Sequence, residues 1–271
     1  MKPLVVIPSY MKTGLHLEAL TDTLASILHT QEHEMPDILV VDDYSPDRAL
    51  VDALGKLQEG SSEKDLPPFE LIRKKGNSGF SSTVNFGMRF AQQEDRDVVL
   101  MNSDIEMDVP DWVGKCQRTL DSEGRPAAVI GALLIYPQTG LIQHAGINFS
   151  YLTRRFYERF KYGPANLPNA LNREVLPVTG AFQYIRAQTL TDVGIYDERF
   201  KLGYEDIDYC LRVFLAGLEC VYEPEVRAWH HESMVRGEKT EQVSRWEVES
   251  FASLVEKYRG QSFGQFVPSV L

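Results

Sequence analysis

Four places in this 271-residue chain set oxygen or nitrogen side chains where they could do chemistry. Asp104 follows an apolar run and precedes Pro110, so it stands at a strand-to-helix corner. A carboxylate there could hold Mg²⁺ or Mn²⁺, hard ions that prefer oxygen and are often shared with substrate phosphates. It could equally be a turn or capping aspartate. Asp42 and Asp43 end another hydrophobic run. On an extended strand they point to opposite sides, so one could accept hydrogen bonds from a base or ribose while the other caps the next helix. Glu205 and Asp206 open a helical pattern carrying Leu211 and Phe214, just after Gly203 and Tyr204. Acids in a first turn offset the helix dipole, and Asp208 and Arg212 stand four apart as an ion pair. The sharper reading makes Asp206 a general base at a rigid helix start, its pKa tuned by burial or by Glu205. His230 and His231 close an extended stretch after Trp229, where neighbours point opposite ways, so at most one meets a given site. The remaining histidines (His16, His29, His33, His144) show no metal spacing.

Short apolar runs at residues 3–7, 38–41, 69–72 and 97–101 read as buried strands. Between them, Leu17, Leu20, Leu24 and Leu28, then Leu50, Val51, Leu54 and Leu57, then Val84, Met88 and Ala91 recur at helical spacing. Ser45 or Asp47 suits the cap of the second helix, and Ser81 or Ser82 that of the third. Pro110 suits the first turn of a fourth, bearing Val113, Cys116 and Leu120. This alternation predicts a mostly parallel sheet with right-handed crossovers, whose ligands bind at the carboxyl ends of the strands. Ser9, Tyr10, Asp42, Asp43, Asn77, Asn102 and Asp104 all fall at such ends. The second half predicts strands over 127–135 and 178–185, an irregular stretch over 138–175, and a short helix with Leu190 and Val193 closed by Gly194. An amphipathic helix with Ile207, Cys210, Leu211, Phe214 and Leu215 stops at Gly217, followed by extended segments at 220–222 and 226–229. A C-terminal helix carries Val243, Trp246, Phe251, Leu254 and Val255. No repeat or low-complexity linker divides the chain, which reads as one domain with a C-terminal extension.

Composition removes several classes. Hydrophobic residues at 43% and charged residues at 25% are ordinary for a globular chain, which excludes disordered and collagen-like classes. A net charge of −11 disfavours non-specific binding to nucleic acid or an anionic membrane. The longest apolar stretch, residues 127–136 broken by Gly131, falls short of the roughly 18–20 residues of a spanning helix. The N-terminal residues lack a signal-peptide pattern. Three widely spaced cysteines (Cys116, Cys210, Cys220) argue against a disulfide framework and for a reducing cytoplasm. There is no Walker loop, no GxGxxG after the first strand, no GxSxG elbow and no paired-cysteine zinc pattern. Basic clusters at Arg73, Lys74 and Lys75, and at Arg154, Arg155, Arg159 and Lys161, read as solvated faces. The second is interleaved with Tyr151, Phe156, Tyr157 and Phe160, so it could instead form a lid or an acceptor-binding loop.

In order and spacing, these residues resemble glycosyltransferase family 2, the inverting enzymes of the GT-A fold, over roughly residues 4 to 237. The resemblance rests on Val5-Val6-Ile7-Pro8-Ser9-Tyr10; Val40-Val41-Asp42-Asp43-Tyr44-Ser45-Pro46-Asp47; Gly76-Asn77-Ser78-Gly79-Phe80 with Asn85-Phe86-Gly87; and Leu100-Met101-Asn102-Ser103-Asp104. It continues through Thr179-Gly180-Ala181, the 194–200 and 204–208 stretches, and His230-His231-Glu232-Ser233 with Arg236-Gly237. Gln143-His144-Ala145-Gly146 adds a likeness to bacterial enzymes that build surface polysaccharides.

The resemblance implies an α/β GT-A (Rossmann-like) domain over 1–237, with a nucleotide-binding part (1–110), an acceptor-side part (111–237) and a C-terminal helical extension (238–271). It implies transfer of a sugar from a UDP, dTDP or GDP donor to a hydroxyl of a glycan or lipid-linked glycan. Pro8, Ser9, Tyr10, Asp42 and Asp43 would cradle the nucleotide, with Asn77, Gly79, Asn85, Asn102 and Ser103 nearby. Thr179, Gly180 and Ala181 would line the donor-sugar pocket, and Arg236 would meet the pyrophosphate. Asp104, with His230 favoured over His231, would bind Mg²⁺ or Mn²⁺, and Asp206 would be the base, tuned by Glu205. Asn102 stands where the family's Asp-x-Asp motif has its first acid, which implies weaker metal affinity and leaves Glu106 as a substitute ligand. The expected setting is cytoplasmic, at most peripheral to the inner membrane face, with no nucleic acid partner. A sugar nucleotidyltransferase and a non-catalytic nucleotide- or carbohydrate-binding relative are the alternatives.

Overall fold

The computed structural model describes residues 1–31, 34–61, 65–122, 124, 126–150, 152–153, 155–201, 203–232 and 241–261. The first half follows the predicted alternation: β1 (Leu4–Ser9), α1 (Gly14–Thr30), β2 (Asp37–Asp42), α2 (Arg48–Glu59), β3 (Glu70–Arg73), α3 (Phe80–Gln93), β4 (Val98–Met101), β5 (Ile105–Met107) and α4 (Trp112–Leu120). The second half holds β6 (Ala127–Ile135), β7 (Ile142–His144), β8 (Ile147–Ser150), β9 (Arg155–Glu158), β10 (Glu174–Val175), β11 (Phe182–Ile185), α5 (Ala187–Asp192), α6 (Glu205–Leu215), β12 (Glu219–His230) and α7 (Glu241–Lys257).

One sheet runs β10-β12-β6-β11-β4-β1-β2-β3, with β5 on β12 and β7 on β6; β8 and β9 form a separate hairpin. The β4-β1-β2-β3 block is parallel, as its βαβ order requires. The sheet turns mixed at β11, which runs antiparallel to both β4 and β6. Both faces are covered, so strand side chains alternate between two apolar layers. Val5 and Ile7 pack with Leu20, Leu24 and Trp112 on one side. Leu4 and Val6 pack with Val84, Met88 and Val213 on the other. Helix α3 lies so close to β1 that a Cβ on Gly87 would stand 2.4 Å from a Val6 methyl.

Several local expectations are corrected. Residues 138–175 are not irregular throughout, because β7, β8, β9 and β10 fall inside them; strands of two to four residues are too short to show a period. The two extended segments at 220–222 and 226–229 belong to one strand, β12, with a register shift between Glu223 and Arg227. Asp47 caps α2 through the Ala49 and Leu50 amides, while Ser45 serves the β2 terminus. Neither Ser81 nor Ser82 caps α3: Gly79 holds that position at φ 90°, and Ser81 donates to the Phe200 carbonyl. Pro110 lies outside α4, whose cap is Asp111. The three cysteines are free and buried, and among the described residues no helix is long and apolar enough to cross a membrane.

Candidate active site

The parallel strands end level with one another. Ser9 is in register with Asp42, and Asp42 with Arg73. Asp42 is buried and accepts from the Ser45 amide (3.2 Å) and hydroxyl, and it pairs with Arg73 Nε at 3.1 Å. Asp43 accepts from the Ser78 (3.1 Å) and Gly79 (3.0 Å) amides and pairs with Lys74 Nζ at 3.0 Å. Arg73 and Lys74 are therefore not a solvated face; they neutralise the two acids at the strand end. Nor does either acid cap α2. Asp43 braces the 76–79 turn. Asn85 is also an internal brace rather than a nucleotide-facing residue: wholly buried, it donates to the Tyr196 carbonyl (2.9 Å) and Glu198 (3.1 Å), and accepts from the Tyr196 amide (2.9 Å). The crevice edge keeps Pro8, Tyr10 and Asn102 partly exposed and Asn77 exposed. The Ser9 hydroxyl is buried there with no protein partner among the described residues.

At the end of β4, the Asn102 amide donates to the Ala181 carbonyl at 2.9 Å, and Met101 is in register with Phe182. One residue back, the Gly180 amide donates to Asp206 Oδ2 at 2.9 Å. The Asn102-Ser103-Asp104 corner and the first turn of α6 therefore share one short segment, residues 179–181. Asp206 Oδ1 accepts from the Ile207 amide at 2.8 Å. Gly203 and Tyr204 reach the helix through left-handed backbone (φ 81° and 67°), which turns the chain sharply into Glu205. The Asp206 carboxyl is raised above the usual carboxylate range, chiefly by burial in its recess; the Gly180 and Ile207 amides pull it back, Glu158 adds to the rise and His144 opposes it. Glu205 is buried beside it.

Asp104 is buried, with its Oδ1 3.3 Å from His230 Nε2. His231 turns away to Glu106, Nε2 to Oε1 at 2.5 Å. One histidine is expected beside Asp104, with His230 favoured; strand alternation sets His230 against Asp104 and turns His231 to Glu106. Glu106 is committed to His231, so it is no second ligand beside Asp104. Among the described residues, no group of three His, Cys, Asp or Glu side chains converges. Arg236, with Ser233 and Gly237, lies outside the described residues, as do Tyr151 and Arg154 of the second basic cluster.

Sequence reasoning missed β7. Gln143 Oε1 accepts from His230 Nδ1, and Gln143 Nε2 donates to Glu232 at 3.2 Å. His144, next along the strand, faces the other half of the site: its Nδ1 meets Glu158 at 2.5 Å, and its Nε2 accepts from the Gly146 and Thr179 amides, both at 3.3 Å. The available signal was the pair of adjacent polar residues, Gln143 and His144, between Ile142 and Ala145.

Residues 4–190, more than half of the chain, match the model of the family described as Glycosyl transferase family 2. The chain is 28% identical over 238 residues to the uncharacterized protein y4gI of Sinorhizobium fredii, covering 86% of this chain and 25% of that protein. It is 29% identical over 145 residues to the O-antigen biosynthesis protein RfbC of Myxococcus xanthus, covering 51% of this chain and 11% of that one. The chain thus spans a quarter or less of these relatives. Among solved structures, GalNAc-T7 with UDP, GalNAc and Mn²⁺ superposes with a TM-score of 0.71 at 14% identity, covering 96% of this chain and 48% of that one. The mannosyltransferase PcManGT of Pyrobaculum calidifontis with GDP-Man and Mn²⁺ gives 0.62 at 16% identity, covering 99% and 68%. The strand order and the matched residues lead to one conclusion: the chain folds as a GT-A α/β domain and belongs to glycosyltransferase family 2.

Proposed function

We propose that this chain is an inverting glycosyltransferase that moves a sugar from a nucleoside-diphosphate donor to a hydroxyl of a glycan or lipid-linked glycan, with Asp206 as general base. The observation that carries this is the 179–181 segment, bonded to Asn102 on one side and to Asp206 on the other. A single displacement needs a base on one side of the sugar and charge stabilisation on the opposite side. The Asp104 corner, after β4, and the N-terminus of α6 reach that segment from separate elements.

Asp206 would take the acceptor proton as the bond forms. An acceptor hydroxyl is a weak nucleophile, and a carboxylate lifted above its usual range is a stronger base than a solvated one. The Gly180 and Ile207 amides hold one oxygen each, fixing the carboxylate plane. Gly180 leaves room for this: a Cβ there would stand 3.3 Å from Asp206 Cβ and 3.2 Å from the Tyr196 hydroxyl. Thr179 and Ala181 flank the donor sugar, while Pro8, Ser9, Tyr10, Asp42, Asn77 and Gly79 border the nucleotide. The orphaned Ser9 hydroxyl supports a ligand there, because a buried donor without a partner is costly.

The donor set fits a divalent ion. The His230 Nδ1 proton is committed to Gln143 Oε1, so a neutral ring turns its Nε2 lone pair toward the Asp104 carboxylate at 3.3 Å. Two electron-rich atoms so placed call for a proton or a cation between them. Asp104 and His230 would hold Mg²⁺ or Mn²⁺ together with donor phosphates; when bound, the ion supplies charge stabilisation for the leaving diphosphate. Both superposed structures named above contain Mn²⁺ and a nucleotide or nucleotide sugar, which supports the same reading here.

The test is Asp206→Asn. Transfer from donor to acceptor is expected to fall about 10²- to 10⁴-fold, the usual contribution of a positioned base, with nucleoside-diphosphate affinity measured by calorimetry unchanged. Near-normal turnover removes Asp206 as the base.

A further inference from the structure

We infer that Gln143, oriented by Glu232, is a positioning residue that keeps His230 Nε2 unprotonated and available to a cation; the inference deepens the proposed metal-dependent transfer and rests on it. Glu232 sets the orientation of the Gln143 amide. An ionised carboxylate only accepts hydrogen bonds, so the Gln143 atom 3.2 Å from Glu232 Oε2 has to be the amide nitrogen. The Tyr136 hydroxyl stands 3.4 Å from the same carboxylate oxygen and helps hold it. The amide oxygen is thereby aimed at His230, and an amide oxygen can only accept. His230 therefore carries its proton on Nδ1.

Without Gln143 the opposite tautomer would win. Asp104 Oδ1, 3.3 Å from Nε2, is the stronger acceptor and would draw the ring proton to itself. A protonated Nε2 cannot bind a cation. Gln143 holds the ring against that pull, and burial of Gln143, His230 and Asp104 keeps water from substituting for either partner. The adjacent residue acts on the other half of the site. His144 Nε2 accepts a hydrogen bond from the Thr179 amide next to Gly180, which in turn holds Asp206. Strand alternation in β7 thus lets two neighbours serve the two halves.

The test uses the full chain and two independent readouts. In metal-free protein at alkaline pH, where imidazole is neutral, ¹⁵N–¹H correlation of labelled histidine is expected to show His230 protonated at Nδ1. Gln143→Met, equal in length but without acceptor or donor, is expected to move the proton to Nε2. Mn²⁺ affinity, read by electron paramagnetic resonance with UDP or GDP present, is expected to weaken about 10- to 100-fold, the usual effect of removing a ligand's supporting hydrogen bond. The exchanged pair Gln143→Glu with Glu232→Gln restores an acceptor toward Nδ1 and is expected to recover both signals, which separates the tautomer effect from misfolding. An unchanged tautomer in Gln143→Met, or Nε2 protonation in the native chain, overturns the inference. Native protein that shows the Nδ1 tautomer yet binds no Mn²⁺ with either nucleotide overturns the metal reading of the function and leaves the tautomer assignment standing.

Discussion

At the scale of single residues, the account turns on Asp206. Its folded-state pKa is raised, chiefly by burial, so the fold favours the protonated form. Linkage then gives the sign. The group contributes stability fully below its unfolded value of about 3.9, and that contribution is lost as pH rises through the raised folded value. Asp206→Asn carries no titrating carboxyl, so it should lack the loss of melting temperature that the native chain shows as pH rises through the raised value, although its amide keeps only one acceptor for the Gly180 and Ile207 N–H groups. Thermal melts of both proteins across pH check this, and the same dependence on pH in the two would contradict it. Activity has the opposite sense: a base must be ionised, so turnover is expected to fall on the acid side at a pH above the ordinary carboxylate range.

At the scale of elements, α6 has to hold Asp206 still, and α7 is what pins α6. Asp208, fully buried one turn into α6, accepts from Arg212 Nε (2.9 Å), Tyr258 Oη (2.8 Å) and Lys257 Nζ (2.6 Å). Lys257 also reaches Asp197 at 2.9 Å, and Arg199 holds the same carboxylate, whose pKa these partners push well below the usual range. Tyr258→Phe leaves a buried carboxylate one donor short and is expected to cost about 1–3 kcal/mol in denaturant unfolding. Gly87→Ala is expected to cost a similar ~1–3 kcal/mol through overpacking against Val6. A change within experimental error for either variant would contradict the corresponding contact. The Asp208–Arg212 pair was legible because it needs only helical spacing. The roles of Lys257 and Tyr258 were not, because they depend on where a helix some fifty residues later returns.

The same division runs through the whole molecule. The parallel block was readable from apolar runs and helical spacing, since each βαβ unit is local and its handedness is constrained. The strand-end position of Asp42, Asn102 and Asp104 followed from that order. The mixed half was harder. β11 inserts between β4 and β6, and short strands such as β7 carry too few residues to declare a period. Hence Gln143 and His144 carry no assigned role in the sequence, and Asn85, expected near the ligand, is wholly buried and braces a loop instead. The C-terminal helix packs on the core: Leu254 and Tyr258 join Phe200, Ile207 and Leu211 in a third apolar cluster. Residues 179–181 join the Asp104 corner to the first turn of α6, and the two halves of the proposed site are taken to enclose one substrate. Paramagnetic broadening by Mn²⁺, added with UDP or GDP to ¹⁵N-labelled protein, tests this most directly. The account expects the amides of Ser103, Asp104, Gly180 and Ile207 to lose intensity together at low Mn²⁺. Loss at Asp104 with Gly180 and Ile207 unaffected would place the base and the cation on separate surfaces and contradict it.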